Sequence, residues 1–311
     1  MSLLLAVLAD CLRSGTLFVA FGALFVVPFV IWKLSRLAMP MLAEIERDRS
    51  RALVAGLLAI APGASFAAGS VVVSVRAIRA GCLEMPGGRA VIAALAVLLA
   101  LAFGRAVVRA WTRQRALDDL VSTAASASYR LRSVARPIPI AIFEILEEEP
   151  LIFVTGLRRP SVFVSSGALA RLNDAELRAA LAHEYAHARH ADHAIMSALL
   201  FFTDLLPLDV ERLTEIYRDS REFAADRAAI ETADPLDLAS AILGVASLRR
   251  RDFVSALADA CVKARLNWLL GGAEPAGCKF PSTLKYLVAA QLVLLAGLTI
   301  AAFVFPGCRT V

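Results

Sequence analysis

Charged residues are scarce in this chain, at 20% of 311 residues, while 59% are hydrophobic and the mean hydropathy is +0.67. That balance excludes an ordinary soluble domain of this length and makes a membrane protein the first reading. Cysteine is sparse too, with 5 residues and no CxxC pair, so a closed structural zinc site of the cysteine type is not expected. The sequence also lacks a glycine-rich phosphate loop and an internal repeat, which excludes the P-loop and solenoid classes. Histidine occurs only 4 times, and every copy falls within HEYAHARHADH, from His183 to His193.

What is abundant is uncharged sequence. No charge occurs between Arg13 and Lys33, between Arg51 and Arg76, or between Lys285 and Arg309, and each gap matches the roughly 20 residues of a spanning helix. A further apolar run, from Ala90 to Val108, has Arg105 near its end, where the side chain can snorkel to the headgroups. The expected organisation is an N-terminal membrane region over 1–110, with spans at 14–32, 52–75 and 90–108. A cytoplasmic domain follows over 111–284, and then a last span with a short outer tail over 285–311. The start LLLAVLADC resembles a secretory leader, but no positive segment precedes it and Asp10 stands before Cys11, so a cleaved leader is not expected.

Lysine and arginine in the short connections set the orientation. Eleven lie on the side of Lys33, Arg105 and Lys285, against five on the side of Arg13, Arg76 and Arg309, so the N-terminus is expected outside and the long segment inside. The net charge of +5 is then a topology signal, and nucleic acid is not an expected partner. On this topology Cys11, Cys82 and Cys308 face the outer side; a Cys82–Cys308 disulfide and three free thiols are both compatible with the spacing.

Within 111–284 the pattern changes to short β-branched runs at 137–146, 151–156 and 161–166, separated by EEEP and LRRP, which reads as a small sheet. Asn173 then opens a helix as its N-cap, and Glu176 closes a capping box, with Leu177, Ala180 and Leu181 expected to face the sheet. On that helix His183 and His187 lie one turn apart, with Glu184 beside them. Two imidazoles at this spacing can bind one zinc, and the intervening carboxylate is placed to act on a water. Downstream, SREFAADRAAI offers Glu222 as a third ligand and Asp226 one turn later as a hydrogen-bond partner for a ligand histidine. The expected site is therefore one zinc held by His183, His187 and Glu222, with Glu184 as general base and Asp226 behind the ligands.

His193, Tyr217 and Arg221 compete as oxyanion stabilisers, and His190 and His193 can equally be helix-end cations that suit the C-terminal dipole. Residues 194–202 read as a buried or interfacial helix too short for a span. LDLASAILGVASL and VSALADACVKARLNWLLG, on either side of RRRD, read as amphipathic scaffold helices.

The stretch from Arg158 to His193 followed by REFAADRAAI resembles the gluzincin membrane metallopeptidases, and within them the BlaR/MecR-type peptidases. The resemblance implies an outside N-terminus, three spans before a cytoplasmic zincin-like α+β domain and one after it, in a multi-pass protein of the bacterial inner or plasma membrane. It further implies that Ser161, Val162, Phe163, Val164 and Ser165 form the edge strand on which a peptide substrate adds in extended form. Beyond the bilayer and a protein or peptide substrate, a regulatory or sensor partner is implied. The antibiotic-sensing members carry a large penicillin-binding domain that this sequence does not include, so beta-lactam sensing by this chain alone is not expected. HtpX-like quality-control peptidases share both motifs and are the alternative. A non-proteolytic membrane scaffold that keeps zinc for folding is the reading from another class.

Overall fold

The computed structural model describes residues 22–43, 49–79, 88–136, 138–156, 159–246 and 256–271, with 286, 288–291, 293, 296 and 297 from the last apolar segment. Three long helices come first: α1 (Val27–Ala43), entered through a π turn at Gly22–Val26, then α2 (Arg49–Arg79) and α3 (Gly88–Val121). Their segments Gly22–Leu42, Ser50–Val75 and Ile92–Val121 are long and apolar enough to cross a membrane. The first reaches ten residues past the expected span end at 32, and just beyond that point Lys33 and Arg36 lie over the Trp32 ring, at 5.0 and 5.2 Å from its centroid. The expected first-span residues 14–21 and Cys11, Cys82 and Cys308 lie outside the described residues. So does most of the last span, although Gln291 donates to the carbonyl of Ile31 and to Ser35 Oγ on α1.

The three helices are not equivalent. Of the apolar window of α2, 67% is buried, against 6% for α3, so α2 is the hub and α3 presents most of its surface outward. Contact at the hub is close: a Cβ at Gly63 of α2 would stand 1.9 Å from the carbonyl oxygen of Phe202, so only glycine allows that approach. Phe202 belongs to α7 (Asp192–Asp204), whose 13 residues extend only about 20 Å, too short to span a bilayer core of about 30 Å. Within 194–202 only Leu199 is buried, while Ile195 is 45% exposed.

Beyond α3, β1 (Ala125–Ser126) and α4 (Tyr129–Ala135) lead into β2 (Ala141–Ile145), β3 (Ile152–Thr155) and β4 (Ser161–Ser165). The sheet order is β1-β2-β4-β3, with β2 and β4 parallel and the two outer pairings antiparallel. This corrects the expected edge strand: Ser161 to Ser165 lie inside the sheet, whose edges are β1 and β3. The physical reason is burial on both faces, since Val162, Phe163, Val164 and Ser165 are all buried, as a central strand requires.

After the short α5 (Ser166–Arg171), α6 (Asp174–Arg189) packs Leu177 and Leu181 against Val162 and Val164 of β4, with Ala180 beside them. Its other side meets α9 (Pro235–Ala246) and α8 (Glu211–Ala229). Helix α8 in turn sets Leu213, Ile216 and Tyr217 among Ala52, Ala55, Leu58 and Ala59 of α2. Each fully buried Leu or Ile contributes about 1.5–3 kcal/mol, so this seam fixes α8 firmly to the membrane helices. The last described helix, α10 (Ala256–Leu269), closes against α8 and α9.

Candidate functional site

The site begins at the start of α6. The Asn173 side chain accepts from the backbone N–H of Ala175 and Glu176, at 2.9 and 3.0 Å, and Glu176 Oε2 accepts from the N–H of Asn173 at 2.9 Å, completing the expected capping box. Such a cap contributes about 1 kcal/mol and sets the phase of the helix. Glu176 also bonds Ser240 Oγ, which pins that end to α9.

Two turns further on, His183 and His187 point the same way, their Nε2 atoms 3.1 Å apart. From α8, Glu222 brings Oε2 to 3.5 Å from Nε2 of His183 and Oε1 to 3.6 Å from Nε2 of His187. Their side chains are 9%, 12% and 28% exposed, so Glu222 is the most open of the three to solvent. A carboxylate stands behind each imidazole. Asp226 Oδ1 lies 2.8 Å from Nδ1 of His183, without a well-directed hydrogen bond, and Asp192 Oδ2 lies 2.7 Å from Nδ1 of His187.

These distances test whether the cluster suits a metal. With Nδ1–H of His187 turned to Asp192 and Nδ1 of His183 turned to Asp226, both Nε2 atoms present lone pairs to each other. Such a pair is repulsive at 3.1 Å unless a cation or a proton lies between. Tetrahedral zinc with ligand bonds of about 2.0–2.1 Å holds its donor atoms about 3.3–3.4 Å apart. The observed 3.1, 3.5 and 3.6 Å match that spacing, and the three residues can hold a metal ion.

Electrostatics agree with the geometry. Burial works against a charge on His183, but the carboxylates of Asp226 and Glu222 outweigh it and push its pKa up to about 10. Burial likewise opposes ionisation of Glu222 and Asp226, yet the Arg265 guanidinium together with the neighbouring histidines outweighs it and holds Glu222 well below the usual carboxylate range and Asp226 below its ordinary value. The carboxylates around the two imidazoles favour a positive charge at this point. Glu184, between the two histidines on α6, is raised by burial, which the charges of His187 and His183 only partly offset.

Two of these supporting residues escape a reading of the sequence. Asp192 follows His187 by five residues, and the chain returns it to the ring through a left-handed turn at Ala191, at φ 52°. That conformation is uncommon for a residue other than glycine, so no glycine advertises the turn. Arg265 comes from α10, expected to be plain scaffold, and corrects that expectation. Its Nε and Nη2 donate to Asp226 at 2.6 and 2.7 Å, and its Nη1 donates to Glu222 Oε2 at 2.8 Å. The only sequence signal for it is a lone arginine in an amphipathic helix of the same domain.

The three oxyanion candidates separate. Tyr217 is buried in the seam with α2, where a Cβ at Gly56 would stand 3.1 Å from its ring. Arg221 is engaged by Asp192, with Nη2 2.7 and 2.9 Å from its two carboxylate oxygens. His193 stands half-buried on the first turn of α7 with Nε2 3.3 Å from Thr155 Oγ1 on the edge strand β3, so of the three it alone touches the sheet. His190 caps the end of α6, its Nδ1 2.6 Å from the carbonyl of Ala186.

Comparison with known proteins bears on this geometry. Residues 87–264 match the model of the family described as BlaR1 peptidase M56, which is more than half of the chain. The Protease HtpX homolog of Acidiphilium cryptum (strain JF-5) is 30% identical over an alignment of 158 residues, taking in 39% of this chain and 55% of that protein. The chain thus spans about half the length of that curated relative. No solved structure matches the chain.

Proposed function

The chain belongs to the BlaR1 peptidase M56 family, and from that premise we propose that it is a membrane-embedded zinc endopeptidase with its centre at His183, His187 and Glu222. The observation that carries this reading is the convergence of those side chains, with donor atoms 3.1 to 3.6 Å apart. When bound there, one zinc per chain supplies a Lewis acid that polarises a scissile carbonyl and acidifies water.

The chain's own residues do the rest. Glu184 takes a proton from the attacking water as its oxygen joins the carbonyl carbon, and hands that proton to the amine nitrogen as the C–N bond breaks. Its burial-raised pKa suits a group that must both accept and return a proton. Asp192 and Asp226 turn the Nε2 atoms of His187 and His183 inward, and Arg221 and Arg265 position those carboxylates. His193 faces the developing oxyanion. An extended substrate adds to the open side of β3, which among the described residues pairs only with β4.

Sheet, α6 and α8 form a zincin-like domain over 111–284, and four spans carry it. The arginine and lysine distribution supports an outside N-terminus and a cytoplasmic site at a cell membrane. The α8–α2 seam supports a site close to the bilayer, and so a substrate that is a membrane protein or a cytosolic regulator met there in signalling. Quality control of membrane proteins is the second reading, favoured by the similarity to the Protease HtpX homolog. Newly created protein N-termini compared between cells with the native chain and cells with Glu184→Gln test the proposal. Termini absent from the variant support proteolysis and name the substrates, whereas identical sets under several stresses, with metal bound in both, favour a scaffold.

A further inference from the structure

Away from the metal-binding cluster, three arginines on one stripe of α3 converge on a single acid. Arg105 donates through Nε and Nη2 to the backbone carbonyl of Asp204, at 2.9 and 2.6 Å. Arg109 reaches Asp204 Oδ1 at 2.8 Å and Arg113 reaches Oδ2 at 2.7 Å. The Asp204 side chain is 10% exposed, but those of Arg109 and Arg113 are 58% and 38% exposed. Three cations against one anion leave these four residues with a net double positive charge turned outward. Exposed Trp111, under the Arg115 guanidinium at 3.8 Å, lies on the same stretch of helix, and Trp32 of α1 donates to the carbonyl of Asp209 just after α7. Tryptophan and arginine together mark the level of the lipid headgroups.

Beside this stripe a cavity of about 670 Å³ opens between the first and third apolar helices, walled by Phe29, Phe66, Leu101, Ala102 and Leu205. Arg105 is the single charged residue on its wall. We propose that the cavity and the arginine stripe form a binding site for an anionic phospholipid, with an acyl chain in the cavity and the phosphate against Arg105, Arg109 and Arg113. Basic pockets between membrane helices recognise anionic headgroups, and a neutral helix from a substrate would fill the cavity without answering the arginines. The site lies at one end of α7, whose other end carries Asp192 against His187.

The test uses the purified, delipidated full chain in neutral detergent, titrated with phosphatidylglycerol or phosphatidylcholine and read by native mass spectrometry. Phosphatidylglycerol should bind saturably and at least tenfold more tightly than phosphatidylcholine. Arg109→Gln with Arg113→Gln should weaken it about 25-fold, roughly fivefold for each charge. Ala102→Trp, which fills the cavity and keeps every charge, should weaken it as much. Should that variant fail to fold, Arg109→Gln alone, at an exposed position, still must show its fivefold loss. Equal binding of the two lipids overturns the proposal. So does a loss in the arginine variants with none in Ala102→Trp, which reduces the effect to surface charge. Capture of a neutral membrane-spanning peptide that phosphatidylglycerol fails to displace assigns the cavity to a substrate helix instead.

Discussion

Replacing Arg265 by methionine removes three hydrogen bonds and one positive charge from beneath the His183, His187 and Glu222 cluster while keeping most of the side-chain volume. Its side chain is 9% exposed, Asp226 is fully buried, and Glu222 is 28% exposed. Breaking a buried pair by removing one partner costs about 3–5 kcal/mol. Glu222 retains contact with solvent, and Asp226 retains its 2.8 Å approach to His183, so the lower end, about 3 kcal/mol, is expected for the metal-free protein. A bound dication replaces the lost positive charge, so the loss in the zinc-loaded protein should be smaller by at least 1 kcal/mol. Unfolding of the purified chain in detergent, with chelator and with saturating zinc, measures both. Arg265→Lys keeps the charge without the planar fork and should fall between the two. A cost below about 1 kcal/mol in chelator, or equal costs with and without zinc, refutes the reasoning that Arg265 neutralises the two carboxylates.

Other expectations follow from the same geometry. Glu184→Gln should lower cleavage by about 10²–10⁴-fold with zinc content unchanged, checked by a peptide assay beside metal analysis. Asp192→Ala removes the acceptor that orients His187 and should weaken zinc binding about 10–100-fold, read by competition with a chromophoric chelator. In the metal-free protein the carboxylates of Asp192, Glu222 and Asp226 have pKa values lowered by folding. Their stabilisation is therefore present above the ordinary values of 3.8 and 4.5 and is lost as pH falls through the folded ones. His183 is raised, so its stabilisation is present below 6.5 and is lost as pH rises toward about 10. Unfolding measured with chelator should therefore show stability lost on the acid side through these carboxylates and on the alkaline side through His183, and His183→Gln should lessen the alkaline decline, to which the raised Glu184 adds from 4.5 upward.

What the sequence discloses is local. Asn173 and Glu176 announce α6, the four-residue step from His183 to His187 places both imidazoles on one face, and the uncharged runs mark three apolar helices. What it conceals depends on how distant segments meet. Asp192 reaches His187 only because Ala191 takes a left-handed turn, and Arg265 reaches Asp226 across 39 residues with no motif to signal it. Strand order is concealed likewise, although four buried positions in a row at Val162 to Ser165 are the mark of an interior strand. The end of α3 is only partly disclosed. Arg105, Arg109 and Arg113, spaced by four, read as the edge of a span, and the sequence does not disclose that they form one stripe of a helix that continues to Val121 and meets Asp204.

The most direct test of the central claim is zinc stoichiometry and coordination by X-ray absorption, measured on the native chain and on Glu184→Gln, His187→Gln and Glu222→Gln together with peptide cleavage. The account predicts one zinc per chain with two imidazole nitrogens and a carboxylate in both the native chain and Glu184→Gln, cleavage in the native chain alone, and loss of zinc in the other two variants. Zinc held through sulfur, retained after His187→Gln, or present beside full cleavage in Glu184→Gln would contradict it.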